Sequence, residues 1–275
     1  MSIFGLFAEL WGYTFIQRAL KAGALISVCA ALLGVSLVLK RYAMIGDGLS
    51  HVGFGTLAIA MSLHVAPLQV SLPLVLLAAF LLLRISESSK IKADAAIALV
   101  SSSALAIGVM IFSMTTGITT NVNNYMFGTI LSVTPGDLYL TAALTAVVLT
   151  LYILFYNKIF AVTFDENFAR ATGIKVGRYN MLISLLTALV IVIGMRLMGA
   201  LLISSLIIFP ALTSMRIFNT FMTVVLSSVV LSVVCFFVGM VISFQFSAPV
   251  GASIVIVNLA AFCIFFIIGM VTKRA

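Results

Sequence analysis

The sequence predicts an all-α protein, a polytopic bundle of about eight to nine membrane-spanning helices. Three observations predict it. Of the 275 residues, 63% are hydrophobic and only 8% charged, which leaves too little polar surface for a water-solvated domain of this size. Apolar runs recur along the whole length, each close to the roughly 20 residues that a helix needs to cross a bilayer core of about 30 Å. Runs such as Ser71–Leu83 and Val224–Val241 show none of the strict alternation that a membrane barrel requires.

In chain order the expected spans are 22–39, 48–65, 67–83, 94–113, 136–156, 179–195, 197–215, 221–243 and 250–271. Residues 1–20 are interrupted by Glu9, Trp11, Tyr13 and Gln17, so they form an interfacial helix or extend the first span. Glu9 inside the apolar part, with no basic region before it, argues against a cleaved signal peptide. One transmembrane domain over 1–275 is expected. It carries an outer polar or re-entrant segment at about 115–135 and a cytoplasmic segment at about 157–178, both too short for a soluble domain.

The formal charge of +8 does not point to nucleic acid, because the basic residues fall in small groups between apolar runs. They read as topology signals. With 157–178 in the cytoplasm, Lys40, Arg41, Arg84, Lys90, Lys92, Lys158, Arg170, Lys175, Arg178, Arg216, Lys273 and Arg274 are inside, 12 of the 15, and only Arg18, Lys21 and Arg196 are outside. Cys29, Cys235 and Cys263 lie in apolar runs without CxxC spacing and read as free, packing thiols.

The run GDGLSHVGFG sets an acid and a histidine, Asp47 and His51, four residues apart. On a helix they share one face and can close on a single ion. A carboxylate oxygen with an imidazole nitrogen suits Zn²⁺, Mn²⁺ or Fe²⁺ better than Mg²⁺ or Ca²⁺. The alternative is that Asp47 caps the helix and His51 is an intramembrane polar residue with satisfied partners. An ionisable pair in a membrane is costly, which keeps the functional reading in play. Gly48 and Gly55, among other small residues here, let a helix approach closely and equally suit a narrow pathway. His64 stands 13 residues beyond His51, about 20 Å along a straight helix, too far to share that ion.

In DENFARATGI, Asp165 and Glu166 suit a helix N-terminus and Gly173 its end, giving a short amphipathic helix that either is a solvated loop helix or docks a cytoplasmic partner. Pro210 removes a backbone hydrogen bond inside a span and predicts a kink or unwound turn, with Ser204, Ser205 and Thr213 as candidates to satisfy the freed groups. No GxxxxGK[ST] loop, HExxH run or Ser/His/Asp arrangement occurs, so the chain has no ATP-hydrolysing machinery of its own and is not expected to be an enzyme.

These residues resemble a family. VLKRYAMIGDGLSHVGFG, TFDENFARATGI and MGALLISSLIIFPALT, together with FGTILSVTPGDL and APVGASIVIV, are similar in order to the membrane permeases of bacterial ABC importers for zinc, manganese and iron. The resemblance implies the permease fold of that family and a multi-pass homodimer in the bacterial inner membrane, surrounded by lipid. Its implied partners are two copies of a cytoplasmic ATP-binding subunit and an extracytoplasmic metal-binding protein. It implies metal coordination at Asp47 and His51, and ATPase docking through Asp165, Glu166, Phe168, Ala169, Arg170 and Gly173. No permanently bound cofactor is expected; Zn²⁺, or else Mn²⁺ or Fe²⁺, is the substrate. GDGLSHV looks more like the zinc branch than the manganese branch, which tends to read GDALSHA. A secondary transporter driven by protons is the alternative, and it would want more intramembrane acids than Asp47. A second span drawn from residue 48 also leaves Asp47 at its inner end, whereas a mid-membrane site needs the helix to begin deeper.

Overall fold

The computed structural model describes residues 13–87, 93–115, 128 and 133–272. They contain eleven helices: α1 (Thr14–Leu39), α2 (Ala43–Ser62), α3 (Pro67–Glu87), α4 (Ala93–Met114), α5 (Pro135–Leu154), α6 (Tyr156–Phe164), α7 (Glu166–Ala171), α8 (Val176–Met198), α9 (Ala200–Ser214), α10 (Phe221–Phe246) and α11 (Val250–Val271). Residues 1–12 and most of the expected outer segment lie outside the described residues.

Every expected span is a helix. α1, α3, α4, α5, α8, α10 and α11 are each long and apolar enough to cross a membrane, seven in all among the described residues. α2 and α9 are the other two. α9 has 15 residues, and α2 carries Asp47, His51 and four glycines. Both are largely buried against their neighbours, which is why neither needs a fully apolar surface. α1 begins at Thr14, so the part of the N-terminal stretch that is described extends the first span.

Helix ends follow local chemistry. Thr134 and Asp137 form a reciprocal capping box ahead of Pro135 at the start of α5. At the end of α1, Arg41 N–H bonds Val38 O at 3.0 Å and Tyr42 N–H bonds Leu37 O at 2.8 Å. This is a Schellman turn with Arg41 at φ +61° in the position that glycine usually fills. His64, at φ +54°, closes α2 in the same way, with Val65 N–H on Ala60 O at 3.0 Å.

α1 and α8 are the most buried spans and α4 and α11 the least. Backbones meet at glycines: a Cβ on Gly34 of α1 would stand 2.0 Å from the Ile207 carbonyl of α9. On α2, a Cβ at Gly48 would press on Ile97, and one at Gly55 would lie 2.7 Å from the Ala104 carbonyl. The sevenfold spacing on both helices sets α2 and α4 in a parallel seam, so the small face foreseen at Gly48 and Gly55 is taken by α4 of the same chain. α9 runs unbroken through the buried Pro210. Of the kink or unwound turn expected at Pro210, the unwound turn is absent, and the chain breaks instead at Gly199, φ +88°, between α8 and α9. Ser204, Ser205 and Thr213 bond the carbonyls of Ala200, Leu202 and Phe209, not the Leu206 carbonyl that Pro210 leaves unmatched.

Candidate metal site

α2 begins at Ala43, five residues before the expected start, and this places Asp47 as its fifth residue. The N-cap is Tyr42, with no side-chain cap bond. Asp47 therefore does not cap the helix, and the capping alternative falls. Gly46 abuts Ile207 midway along α9 and Gly53 abuts Met195 near the far end of α8, so along α2 the pair sits between these levels.

Helical spacing puts Asp47, His51 and Phe54 in one stripe, between the seam with α4 and the face against α9. His51 Nε2 lies 3.6 Å from Asp47 Oδ2, and their side chains are 24% and 40% exposed. The stripe forms one wall of a cavity of about 190 Å³, completed by Leu105 of α4 and by Ala200 and Leu201 of α9. α9 starts at this cavity because Gly199 turns the chain there in a conformation that side-chain-bearing residues rarely adopt.

Two hydroxyls lie beside the pair. Ser50 Oγ donates to Gly46 O at 2.9 Å or shares a 3.1 Å contact with Ser204 Oγ, whose own hydroxyl is 3.0 Å from the Ala200 carbonyl. Sequence reasoning did not place Ser50 or Ser204 in the site. The signal available for Ser204 was its place in the proline-containing helix, which was read for backbone repair only. No group of three or more His, Cys, Asp or Glu side chains is close enough to hold a metal ion among the described residues. The chain thus offers a carboxylate and an imidazole, two of the four ligands that zinc usually takes.

The segment expected in the cytoplasm is two helices rather than one. Asp165 caps α7, accepting from Asn167 N–H and Phe168 N–H at 2.9 Å each. Gly173, φ +84°, closes α7 with Ile174 N–H on Ala169 O at 2.9 Å. Both roles match the reading of the ends, but the docking set divides. Ala169 is fully buried with Val162 and Val176. Glu166 turns inward, 2.7 Å from Lys40 Nζ, and accepts from Asn180 Nδ2 at 3.1 Å. Phe168 and Arg170 project outward, each with about two thirds of its surface free: Phe168 is 63% exposed and the Arg170 side chain 66%. Burial raises the Glu166 pKa, and the bonds from Lys40 and Asn180 outweigh it, so the carboxyl is held below its ordinary value.

The family model described as "ABC 3 transport family" matches residues 12–270. The chain belongs to the ABC 3 transport family. Among its relatives, the manganese transport system membrane protein MntC of Halalkalibacterium halodurans is 28% identical over 260 residues, 94% of this chain and 89% of that protein. The high-affinity zinc uptake system membrane protein ZnuB of Haemophilus influenzae is 29% identical over 238 residues, 86% of this chain and 91% of its own. The solved structure of PsaBC from Streptococcus pneumoniae in complex with Fab superposes with a TM-score of 0.85 at 29% identity, covering 96% of this chain and 95% of that one. This ABC 3 chain is thus a multi-pass membrane permease subunit for metal ions, and the ATPase-free reading of its motifs agrees with relatives that are permease subunits.

Proposed function

We propose that this permease carries a divalent transition metal ion, zinc first, through the cavity walled by Asp47 and His51. The observation that carries the reading is the 3.6 Å approach of a carboxylate and an imidazole, both partly open, at a cavity between α2, α4 and α9. Oxygen and nitrogen donors without a thiol suit Zn²⁺ and admit Mn²⁺ or Fe²⁺. A second copy of the chain supplies the missing pair of ligands across a two-fold axis, so the working unit is a homodimer.

Transport is ATP-driven. Two copies of an ATP-binding subunit dock on the cytoplasmic face, where α7 offers Phe168 and Arg170, and an extracytoplasmic binding protein delivers the ion. The gathering of Lys40, Arg41, Arg84, Lys158, Arg170, Lys175, Arg178 and Arg216 at the α7 end supports this orientation. Manganese is the second reading, supported by the likeness to MntC. The test is metal uptake in a strain deleted for its own importers and given this chain with its ATPase and binding protein. ATP-dependent accumulation of Zn²⁺ in preference to Mn²⁺ is expected. Accumulation of Mn²⁺ alone moves the assignment to manganese, and accumulation without an ATPase subunit overturns the ATP-driven reading.

A further inference from the structure

The Lys40 ammonium closes α1, is only 5% exposed, and reaches three other helices at once. It pairs with Glu166 of α7 at 2.7 Å, donates to Val162 O of α6 at 3.3 Å, and donates to Asn180 Oδ1 of α8. Asn180 in turn donates to Glu166, closing a triangle. Its position at a helix C-terminus also favours a cation.

Chain connectivity makes this cluster more than a local brace. Lys40 is the last residue before the Schellman turn, and α2 begins three residues later. That turn is short and doubly hydrogen-bonded through Arg41 and Tyr42, so displacement of Lys40 passes to α2 instead of being absorbed. Asp47 follows in the second turn of α2. A nearly buried ammonium cannot leave its carboxylate without an uncompensated charge, so α7 and the start of α2 move together.

We propose that Lys40 is the positioning residue through which movement of α7 reaches α2 and its Asp47–His51 pair. This rests on the reading that α7 docks an ATPase. Phe168 and Arg170 face the partner, Glu166 faces inward, and Lys40 carries the displacement to the metal helix. Glu166 thus belongs to the transmission and not to the docking surface.

The experiment uses the whole transporter, this chain with its ATPase subunit in proteoliposomes, and reads three quantities: retention of the ATPase, ATP hydrolysis, and Zn²⁺ moved per ATP. Lys40→Met and Glu166→Gln are expected to retain the ATPase and hydrolyse ATP, while metal moved per ATP falls about tenfold, within the usual range for coupling between sites. Lys40→Arg, which keeps the charge and donors, retains most of the ratio. Should Lys40→Met fail to insert, the isosteric Glu166→Gln decides. A wild-type ratio in Glu166→Gln overturns the inference, and so does loss of ATPase retention in it, since the residue would then belong to docking. A wild-type chain that retains no ATPase removes the docking reading itself, and the two failures are thereby told apart.

Discussion

The hydroxyls of Ser50 and Ser204 lie 3.1 Å apart and join α2 to α9 next to the Asp47 carboxylate. Ser204 thus serves the site from a helix that sequence spacing does not connect to Asp47. A neutral hydrogen bond contributes about 0.5–1.5 kcal/mol net, so Ser204→Ala is expected to raise the apparent KM for metal by about threefold while leaving the complex assembled. An unchanged KM would make the serine pair a packing contact only.

Asp47→Asn removes the carboxylate charge at constant volume, and His51→Ala removes the imidazole ligand from the wall of an already open cavity. Uptake is expected to fall to background in both, with normal membrane levels and normal ATPase retention, because neither side chain supports the fold by capping. Uptake at wild-type rates in either variant would remove that side chain from the pathway.

At the opposite end of the bundle from α7, Arg196 of α8 lies 2.8 Å from Asp137 of α5, with side-chain exposures of 41% and 11%. Arg196→Met leaves the carboxylate short of a partner. A loss of about 1–2 kcal/mol is expected, between the values for exposed and buried pairs. Thermal unfolding of the purified protein in detergent measures it, and a melting temperature equal to wild type would show that water satisfies Asp137.

The pH dependence of the α7 anchor follows from Glu166. Its folded pKa is depressed, the bonds from Lys40 and Asn180 exceeding the opposing effect of burial. The contribution is therefore complete above the ordinary carboxylate range and is lost as pH falls through the depressed value. Hydrogen-exchange protection factors in 166–171, taken relative to the intrinsic amide rate at each pH, should fall on acidification in the wild type and change less in Glu166→Gln. Equal pH responses would place the sensitivity elsewhere.

Gly173 and Gly177 both have open space where a Cβ would go, but only Gly173 has a positive φ, +84°. Gly173→Ala is expected to cost about 1 kcal/mol at the end of α7 and to weaken ATPase retention. Gly177→Ala, inside α8, should be neutral or mildly stabilising. Pull-down with the ATPase subunit compares the two, and equal retention would make the α7 turn dispensable.

How legible the molecule was in its sequence differs element by element. The apolar runs marked every span, because hydropathy and length are set residue by residue. The ends of α7 were equally plain, since Asp165 and Gly173 act through local backbone chemistry. The start of α2 was missed because Tyr42 and Arg41 give no standard N-cap or C-cap signal: Arg41 takes the left-handed position without being glycine. The docking set divided for another reason. Six residues of helix show which types are present but not which side faces Lys40.

The sequence by itself determined an all-α membrane protein, the order of its apolar spans, and the Asp47–His51 pair on one helical face, because each depends on composition or on spacing within a single element. Only the tertiary structure decided that Gly48 and Gly55 serve the seam with α4, that Leu105, Ala200 and Leu201 complete the cavity, and that Lys40 joins Glu166 across 126 positions of chain. The physical reason is that these are contacts between helices. Which apolar or small face meets which neighbour is fixed by packing across the bundle, and helical periodicity does not name the partner.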